Sequence, residues 1–418
     1  MKVCVQLHQG NMFSGGQGVY TYHLTRELVR LGHIVHLIVG PPWPDVAEGV
    51  VVHKVPSYSV YRLLETGRRW FYGRPVRSFF APLNIYELAT SRMGMFSVMS
   101  AFSWRAFDVW RRLQPAHRFD IVHDVQVLGY GTLAIKASGM PVVSNIHHPL
   151  QIDRANQVRQ ASTWKQQIRK IVFYPFWMQE IVARRMDRII TGSGPSAESV
   201  CEAFRLPRER IRVIHDGVDT EAFRPLEVPR RPRSLLYVGN SDDRNKGARY
   251  LLEAMAVLKT RGLDCHLTFV DRPNAEMAPR LVRELGIEDR VTFTGRLSLE
   301  DLALAYNRAE LVVSPSLYEG FGLPAAEAMA SGTPVIATTA GAFPEIVEHG
   351  ETGLLVRPGD AVAVADAIEA LLPDEPRRLA MGAAGRRRIV ERFSWRQTAL
   401  RTAELYEEIV SPCGGRKG

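Results

Sequence analysis

Short unbroken runs of Val, Ile and Leu, each followed by a stretch of helical periodicity, recur along the whole chain. No other feature restricts its fold as strongly. The runs fall at residues 3–7, 35–39, 121–122, 142–146, 188–191, 211–214, 234–238, 266–270, 291–293, 311–314 and 335–337. They do not alternate apolar with polar residues, so each predicts a strand covered on both faces, as in a parallel sheet. Helical stretches at 19–31, 130–137, 250–261, 299–308 and 324–330 lie between them. A βαβα order predicts doubly wound α/β layers.

One such layer cannot hold the whole chain. At about 150 residues per domain, 418 residues make two or three. A charged stretch at 221–233 containing Pro225, Pro229 and Pro232 reads as a linker. The expected division is therefore 1–213, 214–393, and a C-terminal piece at 394–418 made of an amphipathic helix and a frayed tail. Hydrophobic residues make up 46% and mean hydropathy is −0.11, which argues against disorder and against an integral membrane protein. Residues 1–8 read as a strand, too short and polar for a signal peptide. Cys4, Cys201, Cys265 and Cys413 are scattered without zinc-ligand spacing, as reduced thiols of a cytoplasmic protein would be.

Charge separates the two halves. Residues 1–213 carry 27 Lys and Arg against 14 Asp and Glu, whereas the remainder carries 26 against 30. A one-sided basic excess implies an anionic partner for the first half. It concentrates beside aromatics, around Trp70, Trp104 and Trp110, and again around Trp164 and Trp177. Rings next to cations suit a peripheral contact with an anionic membrane at its inner face. They equally suit stacking on unpaired bases, or the core faces of amphipathic helices.

In open α/β sheets, ligands bind beyond the carboxyl ends of strands, so strand-to-helix junctions carry the chemistry. The junction at 311–330 reads LVVSPSLYEGFGLPAAEAMA. A strand ends, a Gly-containing loop follows, and a helix opens near Pro324. Free N–H groups at Gly322, Leu323 and the next turn form an anion site suited to phosphate. Glu319 and Glu327 are carboxylate acceptors able to grip the diols of a nucleotide-sugar. Further junctions hold Lys246 and Arg244 in 237–247, Gly15 and Gly16 in a glycine-rich loop after the first strand, and His147 after the strand at 142–146. His123 and Asp124 end the strand before that one.

The 311–330 junction resembles the E-x7-E signature of retaining glycosyltransferases of family 4, and the likeness extends over nearly the whole chain. Residues 213–219 (VIHDGVD) are similar to that family's hinge segment, usually P-N-G-V-D, and 337–356 to its G-G-x-P-E and G-x-x-G-x-L-V run. The resemblance implies a GT-B fold: two Rossmann-like doubly wound domains facing across a cleft, with a C-terminal helix returning to the N-terminal, acceptor-binding domain. It implies that Glu319 contacts the donor sugar and Glu327 the ribose. Backbone at Phe321, Gly322 and Leu323 would face sugar and phosphate, Lys246 the diphosphate, and His147 the sugar and its phosphate. Asn240 stands where the family has Arg, so Arg244 would supply the second cation. Apart from the resemblance, Asp124 at its strand end is a candidate to contact or deprotonate an acceptor hydroxyl. Residues 271–274 (DRPN) replace the family's glycine-rich loop on the nucleobase side.

The expected activity is transfer of a hexose-type sugar from a nucleoside diphosphate to an acceptor, a lipid-linked or membrane-associated glycan, with retention. No metal or other cofactor is expected, because cations and a helix end can hold the diphosphate, and nucleic acid is not the expected partner. A phosphorylase or sugar-nucleotide epimerase of the same fold, or a non-catalytic basic binder, is the alternative.

Overall fold

The protein is described here by a computed structural model, which places residues 1–10, 16–60, 75–93, 95, 97–147 and 176–411. Two compact units emerge: Met1–Ile214 with the chain from Ala399 onward, and His215–Thr398.

In the first unit the elements run β1 (Lys2–Leu7), α1 (Gly16–Arg30), β2 (Ile34–Val39), β3 (Val51–Lys54), α2 (Pro82–Arg92), α3 (Val98–His117), β4 (Ile121–Val125), α4 (Tyr130–Ala137), β5 (Val142–Asn145), α5 (Phe176–Ala183), β6 (Arg188–Thr191), α6 (Gly194–Phe204) and β7 (Ile211–Val213). The second unit runs β8 (Ser234–Val238), α7 (Ala248–Thr260), β9 (His266–Val270), α8 (Met277–Glu284), β10 (Val291–Phe293), α9 (Leu299–Arg308), β11 (Leu311–Ser314), α10 (Leu323–Ala330), β12 (Val335–Thr338), α11 (Phe343–Ile346), β13 (Gly353–Val356), α12 (Ala361–Leu371) and α13 (Glu375–Arg392). The closing helix α14 (Trp395–Val410) has its first turn in the second unit and the rest in the first.

Each unit holds one sheet. The orders are β3-β2-β1-β4-β5-β6-β7 and β10-β9-β8-β11-β12-β13, and the pairings are parallel. Both sheets reverse direction beside their first strand, the Rossmann arrangement. Burial explains the apolar runs: β4, β11 and β12 are buried throughout. In β8, Leu235 joins the cluster beneath α7 and α12, while its neighbour Leu236 joins the one containing Tyr306, Phe321 and Met329. Side chains alternate across a strand, so one apolar run feeds two cores. Polar caps start the helices: the side chains of Ser193, Ser298 and Asp360 each accept a backbone N–H from the first turn of α6, α9 and α12.

The structure departs from the sequence reading at particular places. Strand β4 does not stop at Val122 but continues through His123 and Asp124, which pair in register with Val5 and Gln6 of β1. Both side chains are fully buried because partners inside the unit receive them. Trp110 is also buried, stacked near Phe107 in the first unit's core, so it is not a membrane anchor. Arg105 is drawn inward by the buried Glu87, at 2.6 Å. Trp104 and Trp177 are exposed. Trp70 and Trp164 lie outside the described residues.

Candidate active site

Strand order builds the site. Strand β8 lies between β9 and β11, where the strand order reverses, so the loops leaving the carboxyl ends of β8 and β11 are neighbours at the place where open α/β sheets bind ligands. The loop after β8 closes with a 3-10 turn, Arg244–Lys246, whose Asp243 side chain accepts the Asn245 N–H at 3.0 Å. Gly247 follows with φ of 63°, and a Cβ there would lie 1.9 Å from the Pro315 carbonyl oxygen. Only glycine lets the two loops approach this closely. The Asn245 carbonyl accepts N–H groups from Leu317 at 2.8 Å and Tyr318 at 3.4 Å. The loops are thus joined through their backbones.

This joining brings Lys246 to Glu319. The ammonium lies 2.9 and 3.0 Å from the two carboxylate oxygens, and Ser316 Oγ donates to one of them at 3.2 Å. The Glu319 side chain is mostly shielded, at 13% exposure, and that of Lys246 less so, at 31%. Glu319 is fixed through its backbone too. Its carbonyl accepts the Ala342 N–H at 3.0 Å, and a Cβ on Gly341 would sit 2.0 Å from that carbonyl oxygen.

Beyond Glu319, Gly322 takes φ of 96° and α10 begins at Leu323 with Pro324 in its first turn. Phe321 is buried, and Leu323 half-buried. The first-turn N–H groups have no partner within the helix and carry its positive dipole end. Glu327, half-buried on α10, accepts a hydrogen bond from the Tyr306 hydroxyl at 2.8 Å. Desolvation pushes its carboxyl up to about 7, against the pull of that bond. Glu319 and Glu327 therefore have separate partners, Lys246 and Tyr306.

The remaining expected residues are dispersed. Arg244 is exposed and forms no ion pair with another described residue. His147 belongs to the first unit. Its N–H donates to the Gln126 side chain at 3.0 Å and its ring meets the Tyr20 ring edge-on at 4.8 Å. Asp124 cannot greet an acceptor. It is wholly buried within the sheet, and it accepts the Leu128 N–H at 3.0 Å and the hydroxyls of Ser144 at 3.2 Å and Thr132 at 3.3 Å. Burial raises its carboxyl to about 6. Gly16 opens α1, where an added Cβ would meet nothing within 4 Å among the described residues. Gly15 lies outside the described residues.

Sequence reasoning missed Ser316, Tyr306 and the turn at Gly341–Ala342 that holds Glu319. Only the G-G-x-P-E-like stretch at 341–345 gave any sign of the last. Among the described residues, no group of three or more His, Cys, Asp or Glu is placed to hold a metal ion, and no helix is long and apolar enough to cross a membrane.

The family described as Glycosyl transferases group 1 matches residues 218–388, and Glycosyltransferase Family 4 matches 14–222. The chain is 38% identical, over 98% of its length, to an MMP alpha-(1->4)-mannosyltransferase of Mycolicibacterium hassiacum, of which it covers 99%. The chain belongs to glycosyltransferase family 4. As a family 4 glycosyltransferase it is also 28% identical, over 96% of its length, to a D-inositol 3-phosphate glycosyltransferase of Corynebacterium aurimucosum, covering 93% of it. Its fold is GT-B. It matches sucrose-phosphate synthase of Thermosynechococcus elongatus with a TM-score of 0.70 at 24% identity, over 99% of this chain and all of that one. It matches Anabaena Alr3699/HepE, solved with UDP and glucose, with a TM-score of 0.67 at 19% identity, over 98% and 100%.

Proposed function

We propose that this glycosyltransferase moves mannose from a nucleoside diphosphate to a hydroxyl of a glycan, with retention at the anomeric carbon and without a metal ion. The observation that carries the reading is the Lys246–Glu319 pair at the switch point of the second sheet, beside the opening of α10. Mannose and the glycan acceptor are supported by the relative named as an α-(1→4)-mannosyltransferase.

The pair is a pre-arranged exchange site. A diphosphate carries more than one negative charge. At an effective dielectric near 20, each unit charge about 4 Å from an ammonium is worth about 4 kcal/mol. The diphosphate therefore draws Lys246 away from Glu319, and the freed carboxylate accepts donor-sugar hydroxyls. Glu327 accepts from the ribose, and the N–H groups of Phe321, Gly322, Leu323 and the first turn of α10 face the phosphates. Arg244 supplies a second cation. As the bond to the leaving diphosphate breaks, these fixed donors stabilise its growing charge. The leaving phosphate assists attack by the acceptor on the same face, so no protein nucleophile is assigned. A lipid-linked acceptor at an anionic membrane finds less support, since Trp110 and Arg105 are committed to the first unit's interior.

The test is transfer from GDP-mannose or UDP-glucose to a manno-oligosaccharide, read as nucleoside diphosphate released only when acceptor is present. Lys246→Ala and Glu319→Gln should each lower kcat/KM by about 100-fold or more, and chelation with EDTA should leave the rate unchanged. Near-normal turnover in both variants would defeat the assignment.

A further inference from the structure

The chain passes between its two units at Ile214–His215 and again at Thr398–Ala399. Inside the second unit these two connections are fastened to each other: Thr398 Oγ1 donates to the His215 carbonyl at 2.9 Å. Nearby, the Val218 N–H donates to the Phe393 carbonyl at 2.8 Å, and a Cβ on Gly217 would lie 2.5 Å from Trp395 backbone. The His215 ring stands edge-on to Phe393 at 5.1 Å. Both connections thus leave from one knot of packed backbone.

The His215 side chain extends that knot toward the donor loop. Its Nε2 lies 2.7 Å from Glu345 Oε2. Its Nδ1 is buried without a hydrogen-bond partner among the described residues. The ring is thus held by packing against Phe393 and by one polar contact among the described residues, that to Glu345. Glu345 is held in turn. Its N–H donates to the Ala342 carbonyl at 3.0 Å, and its own carbonyl accepts from Arg388 at 2.8 Å. The Ala342 N–H is the group that binds the Glu319 carbonyl. A continuous hydrogen-bonded path therefore runs from Glu319 through Ala342, Glu345 and His215 to Thr398.

We propose that His215 and Glu345 form a positioning pair that couples the loop bearing Glu319 to both connections between the units. The inference rests on the reading of Glu319 as a donor-sugar ligand. Neither member touches substrate. When a donor settles on Glu319, the backbone turn at Ala342 and the His215–Glu345 contact carry its position to the two connections. The pair thus serves the step that follows donor binding. Truncating it should lower kcat while leaving nucleoside-diphosphate affinity in place, since Lys246 and the opening of α10 are untouched.

The experiment is a double-mutant cycle on the full chain with His215→Ala, Glu345→Ala and the two together, alongside His215→Gln and Glu345→Gln. It reads kcat and donor KM, GDP and UDP affinity by calorimetry, and the melting temperature. Each alanine variant is expected to lower kcat about tenfold, within the usual range of coupling between sites. The double variant should lose no more than the worse single one. Nucleoside-diphosphate Kd should stay within about twofold, as expected when an interaction is lost after binding. His215→Gln retains an N–H donor and Glu345→Gln an oxygen acceptor, so both should recover most of the rate. Independent, additive losses, no recovery with glutamine, or a loss of nucleotide affinity equal to the loss of kcat would each overturn the coupling. Glu319→Gln separates the two readings. If it transfers normally, the donor assignment fails. If it is inactive while the His215 and Glu345 effects add, the coupling fails.

Discussion

Replacing Tyr306 by Phe isolates one hydrogen bond whose consequence depends on pH. The Tyr306 hydroxyl donates to Glu327 at 2.8 Å and is fully buried, so phenylalanine preserves the packing and removes only the donor. A hydrogen bond to an ionised group contributes roughly 1.5–3 kcal/mol. At 1.36 kcal/mol per unit that is about 1–2 units of pKa. Glu327 already stands at about 7 because burial disfavours its charge. In the variant it should move up to roughly 8–9. The sign follows from linkage. A carboxyl raised in the folded state contributes stability that is complete below its unfolded value, 4.5, and is lost as pH rises through the folded value. In the native protein the loss runs from about pH 4.5 to 7 and amounts to about 3 kcal/mol. In the variant it continues to about pH 9 and grows by the value of the lost bond. Urea denaturation should therefore find the two proteins nearly equal at pH 5 and the variant weaker by about 1.5–3 kcal/mol at pH 9. The pH profile of donor KM provides a second measure. On the proposed reading that Glu327 holds the ribose, its ionised form is the better acceptor, so KM should fall as pH rises through its pKa, and the fall should come later in the variant. A profile that stays in place or moves to lower pH, or a penalty larger at pH 5 than at pH 9, would refute the reasoning.

Two further outcomes follow from geometry. Gly247→Ala places a methyl 1.9 Å from the Pro315 carbonyl at φ of 63°, whereas Gly262→Ala, at φ of 75°, meets nothing within 4 Å. Calorimetric scanning should show the first lowering the melting temperature several degrees further than the second, because a clash adds to the same backbone strain; equal shifts would mean that the two loops do not touch. Asp124→Asn keeps an oxygen for the Leu128 N–H but removes a buried charge whose pKa is raised to about 6. Stability that the native protein loses between about pH 4 and 6 should be lost less steeply in the variant, measured by denaturation across that range, and a steeper loss would contradict the sign.

What could be read from the sequence depended on where burial leaves a trace. Strands covered on both faces announce themselves as aliphatic runs, and the expected runs coincide with strands in both sheets. The edge strand β3 escapes the sequence reading although residues 50–52 are consecutive valines, because the run is short, breaks at His53 and Lys54, and lies at an exposed edge. In β13 the strand starts at Gly353, and its aliphatics merge into the motif that precedes it. Lys246 and Glu319 were visible singly, since each sits at a strand end in a recognisable loop. Their contact was not, because 73 residues separate them and only the adjacency of β8 to β11 closes that distance. Asp124 shows the opposite failure. A carboxylate after an aliphatic run looks the same whether the strand stops or continues, and only the hydroxyls of Ser144 and Thr132 decide.

The departures from the family pattern at Asn240 and at 271–274 are joined in space. Asp271 accepts the Ser241 N–H at 3.2 Å and the Arg272 N–H at 2.7 Å. Arg272 reaches back to Asp242 at 2.6 Å and holds that carboxyl below its ordinary value. Asp242 also accepts the Met277 N–H at 2.9 Å and so caps α8. The loop after β8 is therefore pinned to the loop after β9 on one side. On the other, Asn245 and Gly247 pin it to the loop after β11. Lys246 is left with a fixed backbone and a half-exposed side chain. On the proposed reading, its ammonium turns from Glu319 to the donor diphosphate while the backbone of the loop stays pinned. A lone arginine at 240 would have added a cation to this loop. The residues present instead pin the loop, and on the proposed reading that holds Lys246 and Arg244 in place as charge develops on the leaving group.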